Sequence, residues 1–201
     1  ITCTSSNAAQ VVEAIAKEWN SDTVILVPDQ YLAKNVAAQT GIRILTWPGA
    51  CEVHEQFSAE DVKALREAHP GVIILAHPEC PPDVLQEADF AGSTSALAAY
   101  VSENRPNKVV LLTECSMSDN VAAENPAVNF IRPCNLCPHM KRITLENIYD
   151  CLKTRVHEVT IPEDVRIRAK AALDAMLALP KMEKPLSFRT GQKPLEIEMV
   201  V

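Results

Sequence analysis

A stretch of this chain occurs twice in register, and this repeat constrains the fold more than any other feature. Thr23-Val-Ile-Leu-Val-Pro-Asp29 aligns with Lys108-Val-Val-Leu-Leu-Thr-Glu114, a shift of 85 (23 to 108). At the same shift Asn35-Val-Ala-Ala38 recurs as Asn120-Val-Ala-Ala123. Cys51 falls on Cys137 at a shift of 86, and Thr4-Ser5-Ser6 falls near Ser93-Thr94-Ser95 at 89. One apolar run matching another means little. An Asn-Val-Ala-Ala in register, with a cysteine beyond the next apolar run, marks a duplication. Each copy reads as a Ser/Thr-rich helix start, a helix, an apolar strand, an acidic residue, a helix, a strand and a cysteine just past it.

The local pattern agrees. β-Branched runs predict strands at 23–27, 43–46, 72–75, 108–112 and 128–131, and helical periodicity covers 8–19, 30–39, 59–68, 94–102, 145–152 and 163–179. Strands alternating with helices of this length define an α/β fold, with parallel sheets built from βαβ units in repeated three-layer αβα domains. The units are expected at 1–69 and 70–155, with 156–201 a C-terminal helix and a loosely packed tail from Pro180. Ser6/Asn7, Ser58 and Ser93 stand where helix N-caps belong. The second copy opens on the strand at 72–75. The first begins at its Ser/Thr loop, so its own opening strand is expected upstream of residue 1 in a longer chain.

Composition excludes several classes. An apolar share of 47% with 22% charged residues is that of a globular protein. No apolar run approaches the roughly 18–20 residues of a membrane span. A net charge of −7 gives no basic footprint for nucleic acid. A small anion would need local positive potential, which helix N-termini supply. Seven cysteines, an odd number without secretory marks, predict a reducing, cytoplasmic setting with thiols free or on a metal rather than a disulfide framework.

In open α/β structures ligands bind beyond the carboxyl ends of the parallel strands. Five segments fall there: Thr4-Ser5-Ser6, Cys51-Glu-Val-His54, His77-Pro-Glu79-Cys80, Gly92-Ser93-Thr94 and Cys134-Asn-Leu-Cys137-Pro-His-Met140. Cys134 and Cys137 form a CxxC, which fits a structural zinc site, a thiol-redox pair or iron–sulfur ligation. A zinc site commonly uses two such pairs, and Pro133 and Pro138 sit poorly with a redox motif. The repeat favours iron–sulfur ligation, since Cys51 and Cys137 are equivalent. Cys3, Cys80, Cys115 and Cys151 read as buried packing thiols. His54 and His77 beside Glu79 read as functional, His69 as a helix C-terminal cap and His157 as a surface strand residue, with His139 undecided. Ser5, Ser93 and Thr94 read both as helix caps and as anion binders.

Cys-Thr-Ser-Ser-Asn-Ala at 3–8, Trp47-Pro-Gly-Ala-Cys51-Glu-Val-His54, Ala76-His-Pro-Glu-Cys80, Gly92-Ser-Thr94 and Cys134-Asn-Leu-Cys137-Pro-His-Met140, in that order, resemble the bacterial quinolinate synthase family. The resemblance implies three homologous α/β domains in a pseudo-threefold arrangement, two of them present here, around a [4Fe–4S] cluster. Cys51 and Cys137 would be two of its ligands. The third cysteine would lie in an N-terminal domain absent from this chain, leaving the chain alone inactive, and the C-terminal helix and tail would return toward that domain. Cys134 would be an accessory, with Met140 near the cluster. The implied activity condenses iminoaspartate with dihydroxyacetone phosphate to quinolinate for NAD biosynthesis. A fourth, open iron would act as Lewis acid, Glu79 as base or acid, His54 and His77 as orienting groups, and Ser5, Ser93 and Thr94 as carboxylate or phosphate binders. L-Aspartate oxidase is the implied supplier of iminoaspartate. Two rivals stand beside this: a thiol-redox or zinc module using Cys134 and Cys137, and a non-catalytic α/β fragment.

Overall fold

A β-branched run can lie parallel to the next only if the segment between them carries the chain back, and here helices do so. In the computed structural model, which describes residues 1–180, 187, 188, 190, 198 and 199, helix α1 (Ala8–Glu18) leads into strand β1 (Thr23–Leu26). Helix α2 (Gln30–Thr40) then crosses over to β2 (Arg43–Thr46), which pairs parallel to β1. A 3₁₀ turn at His54–Gln56 and helix α3 (Ala59–Ala68) follow. Ser58 and Asp61 close a reciprocal capping box on α3, and His69 is its C-cap, as the sequence predicts.

The second sheet is built from β3 (Ile73–Ala76), α4 (Pro82–Glu87), β4 (Phe90–Gly92), α5 (Thr94–Asn104), β5 (Lys108–Leu112), α6 (Cys115–Glu124) and β6 (Asn129–Ile131). A 3₁₀ turn at Met140–Arg142, α7 (Leu145–Thr154) and α8 (Glu163–Leu177) complete the helices. Strand order is β6-β5-β3-β4, all parallel, and β7 (Ser187–Phe188) adds antiparallel to β4. β8 (Glu198–Met199) pairs parallel to β2 in the first sheet. Most of the tail expected beyond Pro180 lies outside the described residues; Phe188, within β7, is buried.

Every element of the first copy has its partner in the second. Helices α1, α2 and α3 recur as α5, α6 and α7, and β1 and β2 as β5 and β6; the two 3₁₀ turns also correspond. Backbone detail repeats as well. Gln30 N–H donates to Gly49 O at 2.8 Å, and Cys115 N–H donates to Asn135 O at 3.1 Å. The capping box of Ser58 and Asp61 recurs as Thr144 and Asn147. The cap position that Ser93 holds on α5 is held on α1 by Asn7, one of the two residues expected there, without a side-chain cap hydrogen bond.

The core explains why the strands read as unbroken apolar runs. Ile74, Leu75, Leu111 and Leu112 are 0–1% exposed, because helices cover both faces of a parallel sheet. One apolar cluster runs from Val36 and Ile44 of the first unit to Ile74 and Leu112 of the second, so the two sheets share a core. Side chains of this size each stabilise by about 1.5–3 kcal/mol when fully buried. Helices α7 and α8 have no buried residue; Leu145 is 82% exposed, Leu152 78% and Leu177 72%. The second half of α8 and the residues just after it touch the start of the chain, with Thr2 N–H donating to Ala172 O at 3.3 Å and Gln10 Nε2 to Pro180 O at 2.8 Å. No described helix is long and apolar enough to cross a membrane.

Candidate functional site

The carboxyl ends of β1, β2 and β3 open toward one cleft of about 420 Å³, lined by Cys3, Ser5, Asp29, Trp47, Cys51 and Glu79 among others. Gly49 brings the Cys51 loop into place. A Cβ there would lie 2.7 Å from Pro28 O, so only glycine lets the loop pass this close to the neighbouring backbone. Gly49→Ala is expected to destabilise the fold by roughly 1–3 kcal/mol through overpacking, read as a lower melting temperature of the full-length protein.

His54, held in the 3₁₀ turn, is 7% exposed and hydrogen-bonded at both ring nitrogens. Nδ1 lies 3.1 Å from Glu79 Oε2 and Nε2 lies 3.0 Å from Thr113 Oγ1 at the end of β5. His77 stacks on it, with ring centroids 4.4 Å apart and 15° between planes. The Nδ1 of His77 accepts from the Glu79 amide at 3.3 Å, and its Nε2 faces Ser5 Oγ at 3.3 Å. Asn35, buried on α2, donates to Pro78 O at 2.7 Å and Cys80 O at 3.2 Å, clamping the loop that carries Glu79.

These contacts assign charges. Burial pulls His54 down, but hydrogen bonds with Cys51 and Glu79 outweigh it and raise its pKa to about 9. Burial and the neighbouring His54 charge push His77 down to about 4. Two stacked imidazoles cannot both be cations in a poorly solvated site, so His54 carries the proton and His77 is the neutral Nε2–H tautomer. Burial raises the Glu79 carboxyl, yet the hydrogen bond from His54 prevails and holds it below the usual carboxylate value. The same imidazole lowers the Cys51 thiol. The site thus presents an ionised carboxylate, an imidazolium and a thiol biased toward thiolate. Cys51, His54 and Glu79 offer ligand atoms all within 4.8 Å of one another, a group able to hold a metal ion once His54 gives up its proton.

Cys137 stands on the equivalent loop of the second unit. The two loops meet through His139 Nε2 and Glu52 Oε1 at 3.2 Å, which gives the previously undecided His139 a place. Cys51 and Cys137 are both free, half-buried thiols, the soft donors that iron–sulfur ligation requires. The residues present therefore fit such a group as far as two ligands.

Other expectations change. Cys115 and Cys134 form a disulfide, so the reading of free or metal-bound thiols fails at these two positions. They meet because the first turn of α6 abuts the loop after β6, leaving their Cα atoms 5.0 Å apart. Cys134 is thus bonded away from Cys137, which removes the CxxC claw that a redox or zinc module would use. Cys80 is fully buried, its thiol pushed up by desolvation, with Sγ–H aimed at Leu112 O, a packing role as expected. His157 lies in an exposed bend with φ 65° rather than in a strand. Ser93 is buried and accepts from Ala96 N as the α5 cap, while Thr94 is exposed beside it; neither hydroxyl is hydrogen-bonded to the His54–Glu79 cluster. Asp29 and Thr113 belong to the site but went unassigned, although both end the repeated strand and so carried a signal.

The chain is thus an α/β protein with a thiol-, imidazole- and carboxylate-bearing centre at its strand ends. The Quinolinate synthetase A protein family matches residues 1–178, and the chain belongs to that family. Among curated relatives, quinolinate synthase of Caulobacter vibrioides is 55% identical over 188 residues, covering 94% of this chain and 51% of the relative. Quinolinate synthase 1 of Mesorhizobium japonicum is 59% identical over 177 residues, covering 88% and 53%. Quinolinate synthase of Agrobacterium fabrum is 56% identical over 179 residues, covering 89% and 51%. The chain spans about half the length of these relatives.

Proposed function

We propose that this chain is the larger part of the active centre of a quinolinate synthase, an enzyme of NAD biosynthesis that condenses iminoaspartate with dihydroxyacetone phosphate, releasing phosphate and water. The observation that supports this reading is the clustering of Cys51, His54, His77 and Glu79 at the strand ends, with Cys51 and Glu79 lining the cleft and the two imidazoles buried behind them. Family membership supports the reaction class, and the cluster offers groups suited to it.

Cys51 and Cys137 would hold a [4Fe–4S] cluster, with a third cysteine from the remainder of the full-length protein. When bound, the cluster supplies an iron without a thiolate, a Lewis acid for substrate oxygens. Glu79, ionised at neutral pH, takes a proton from carbon or nitrogen next to a carbonyl. His54 is fixed from both sides by Glu79 and Thr113 and orients and polarises substrate oxygens. His77 is neutral and offers Nε2–H toward Ser5 and a substrate oxygen. Ser5 at the cleft mouth, with Ser93 and Thr94 at the α5 N-terminus, binds carboxylate or phosphate. The exposed apolar residues of α7 and α8 would pack against the remainder of the protein, completing three domains around a pseudo-threefold axis. The setting is cytoplasmic, and L-aspartate oxidase is the source of the unstable imine.

The test is anaerobic purification of the full-length protein and assay with enzymatically generated iminoaspartate and dihydroxyacetone phosphate. Quinolinate formation, dependent on bound iron and sulfide, is the expected result. Zinc in place of iron, or no product from a cluster-loaded protein, would overturn the reading.

A further inference from the structure

Each copy of the repeat places an acidic residue at the end of its first parallel strand, and both acids do the same two jobs. Asp29 is the N-cap of α2: its Oδ1 accepts from Leu32 N–H at 2.7 Å. Its other oxygen, Oδ2, accepts from the backbone N–H of Cys51 at 3.0 Å. Glu114 is the N-cap of α6: its Oε2 accepts from Ser116 N–H at 2.8 Å. Its Oε1 faces the backbone N–H of Cys137 at 3.5 Å. The same acids form equivalent isolated bridges, Asp29 with Gly49 and Glu114 with Asn135. A cap needs one acceptor oxygen. The second oxygen accepts, in both copies, from the amide of the cysteine itself; Glu114 Oε1 also accepts from Ser116 Oγ at 3.4 Å.

We infer that Asp29 and Glu114 are paired positioning residues, each fixing through the amide of Cys51 or Cys137 the loop that presents a cluster thiolate. This rests on the cluster reading above. The carboxylates do not touch the metal or the substrate; they act through the cysteine backbone. Partners of this kind orient ligands, and their loss typically weakens metal binding about 10- to 100-fold. The first copy depends on its carboxylate more, because its bond is shorter. In the second copy the Cys115–Cys134 disulfide also ties the loop to the start of α6.

Amide variants separate the two jobs. Asn is as good an N-cap as Asp, so Asp29→Asn keeps the bond to Leu32 while its Nδ2 turns a donor toward the donor of Cys51. Glu114→Gln does the same at Cys137. In full-length protein reconstituted anaerobically, the readouts are the melting temperature of the apoprotein, the rate of iron loss to a chelator, and the electron paramagnetic resonance spectrum of the reduced cluster. Asp29→Asn is expected to melt as the wild type does, yet release iron roughly tenfold or more faster with an altered spectrum. Glu114→Gln should move the same way by less, and Asp29→Ala should lose cap and cluster retention together. Wild-type release and spectrum in Asp29→Asn, or faster release matched by a fall in melting temperature, overturns the inference while the cluster reading stands. A wild-type protein that takes up no iron and sulfide overturns both.

Discussion

Glu79→Gln in the full-length, cluster-loaded protein is expected to lower kcat by roughly 10²–10⁴-fold, the usual contribution of a placed proton-transfer group. Glutamine keeps the volume and can still accept from His54 Nδ1. It cannot take up a proton, and it removes the anion that helps hold His54 charged. The loss should fall on kcat more than on KM, and the iron–sulfur absorbance should persist. A purely structural role predicts the opposite pattern. In that case Glu79 would act only as an acid ahead of α4, worth about 0.3–1 kcal/mol. The variant would then melt earlier and turn over at the wild-type rate. Its hydrogen bond to His54 across two units, 3.1 Å long, already ties it to the site rather than to its own helix.

Cys51→Ala and Cys137→Ala are each expected to abolish the broad iron–sulfur absorbance of the anaerobically prepared protein. A cluster held by three thiolates has none to spare. Cys134→Ala should leave that absorbance largely intact, because its sulfur is engaged with Cys115. Retention of the cluster in Cys137→Ala, with loss in Cys134→Ala, would show that the wrong member of the CxxC had been assigned. Iron and sulfide content of the three variants, measured beside wild type, decides it.

Much of this was legible in the amino-acid sequence because the duplication repeats chemistry as well as hydropathy. Asp29 on Glu114 and Cys51 on Cys137 gave the strand ends, and the strand ends gave the cleft. What escaped had physical reasons. Helix α4 has six residues and starts at Pro-Pro, and β4 is the tripeptide Phe-Ala-Gly, both too short to show a period. The Cys115–Cys134 pair is 19 residues apart, and only the docking of α6 against the β6 loop brings it together. The stacking of His54 on His77 joins residues from two units through a shared core, which no local pattern encodes. The roles of Ser5, Ser93 and Thr94 looked alike because all are hydroxyls ahead of helices. In the structure, of these three, only Ser5 is hydrogen-bonded to an imidazole.

The two copies have kept the cysteine and diverged three residues beyond it. Cys51 is followed by His54, buried and polar; Cys137 is followed at the same step by Met140, 57% exposed and apolar. What a doubled ancestor needs in order to hold something, it keeps in both halves; what it needs in order to transform something, it can keep in one. Under the proposed function the two halves divide the labour, with a symmetric grip and one-sided chemistry. Met140→His would restore the residue type but not its surroundings, because position 140 is 57% exposed where His54 is 7%.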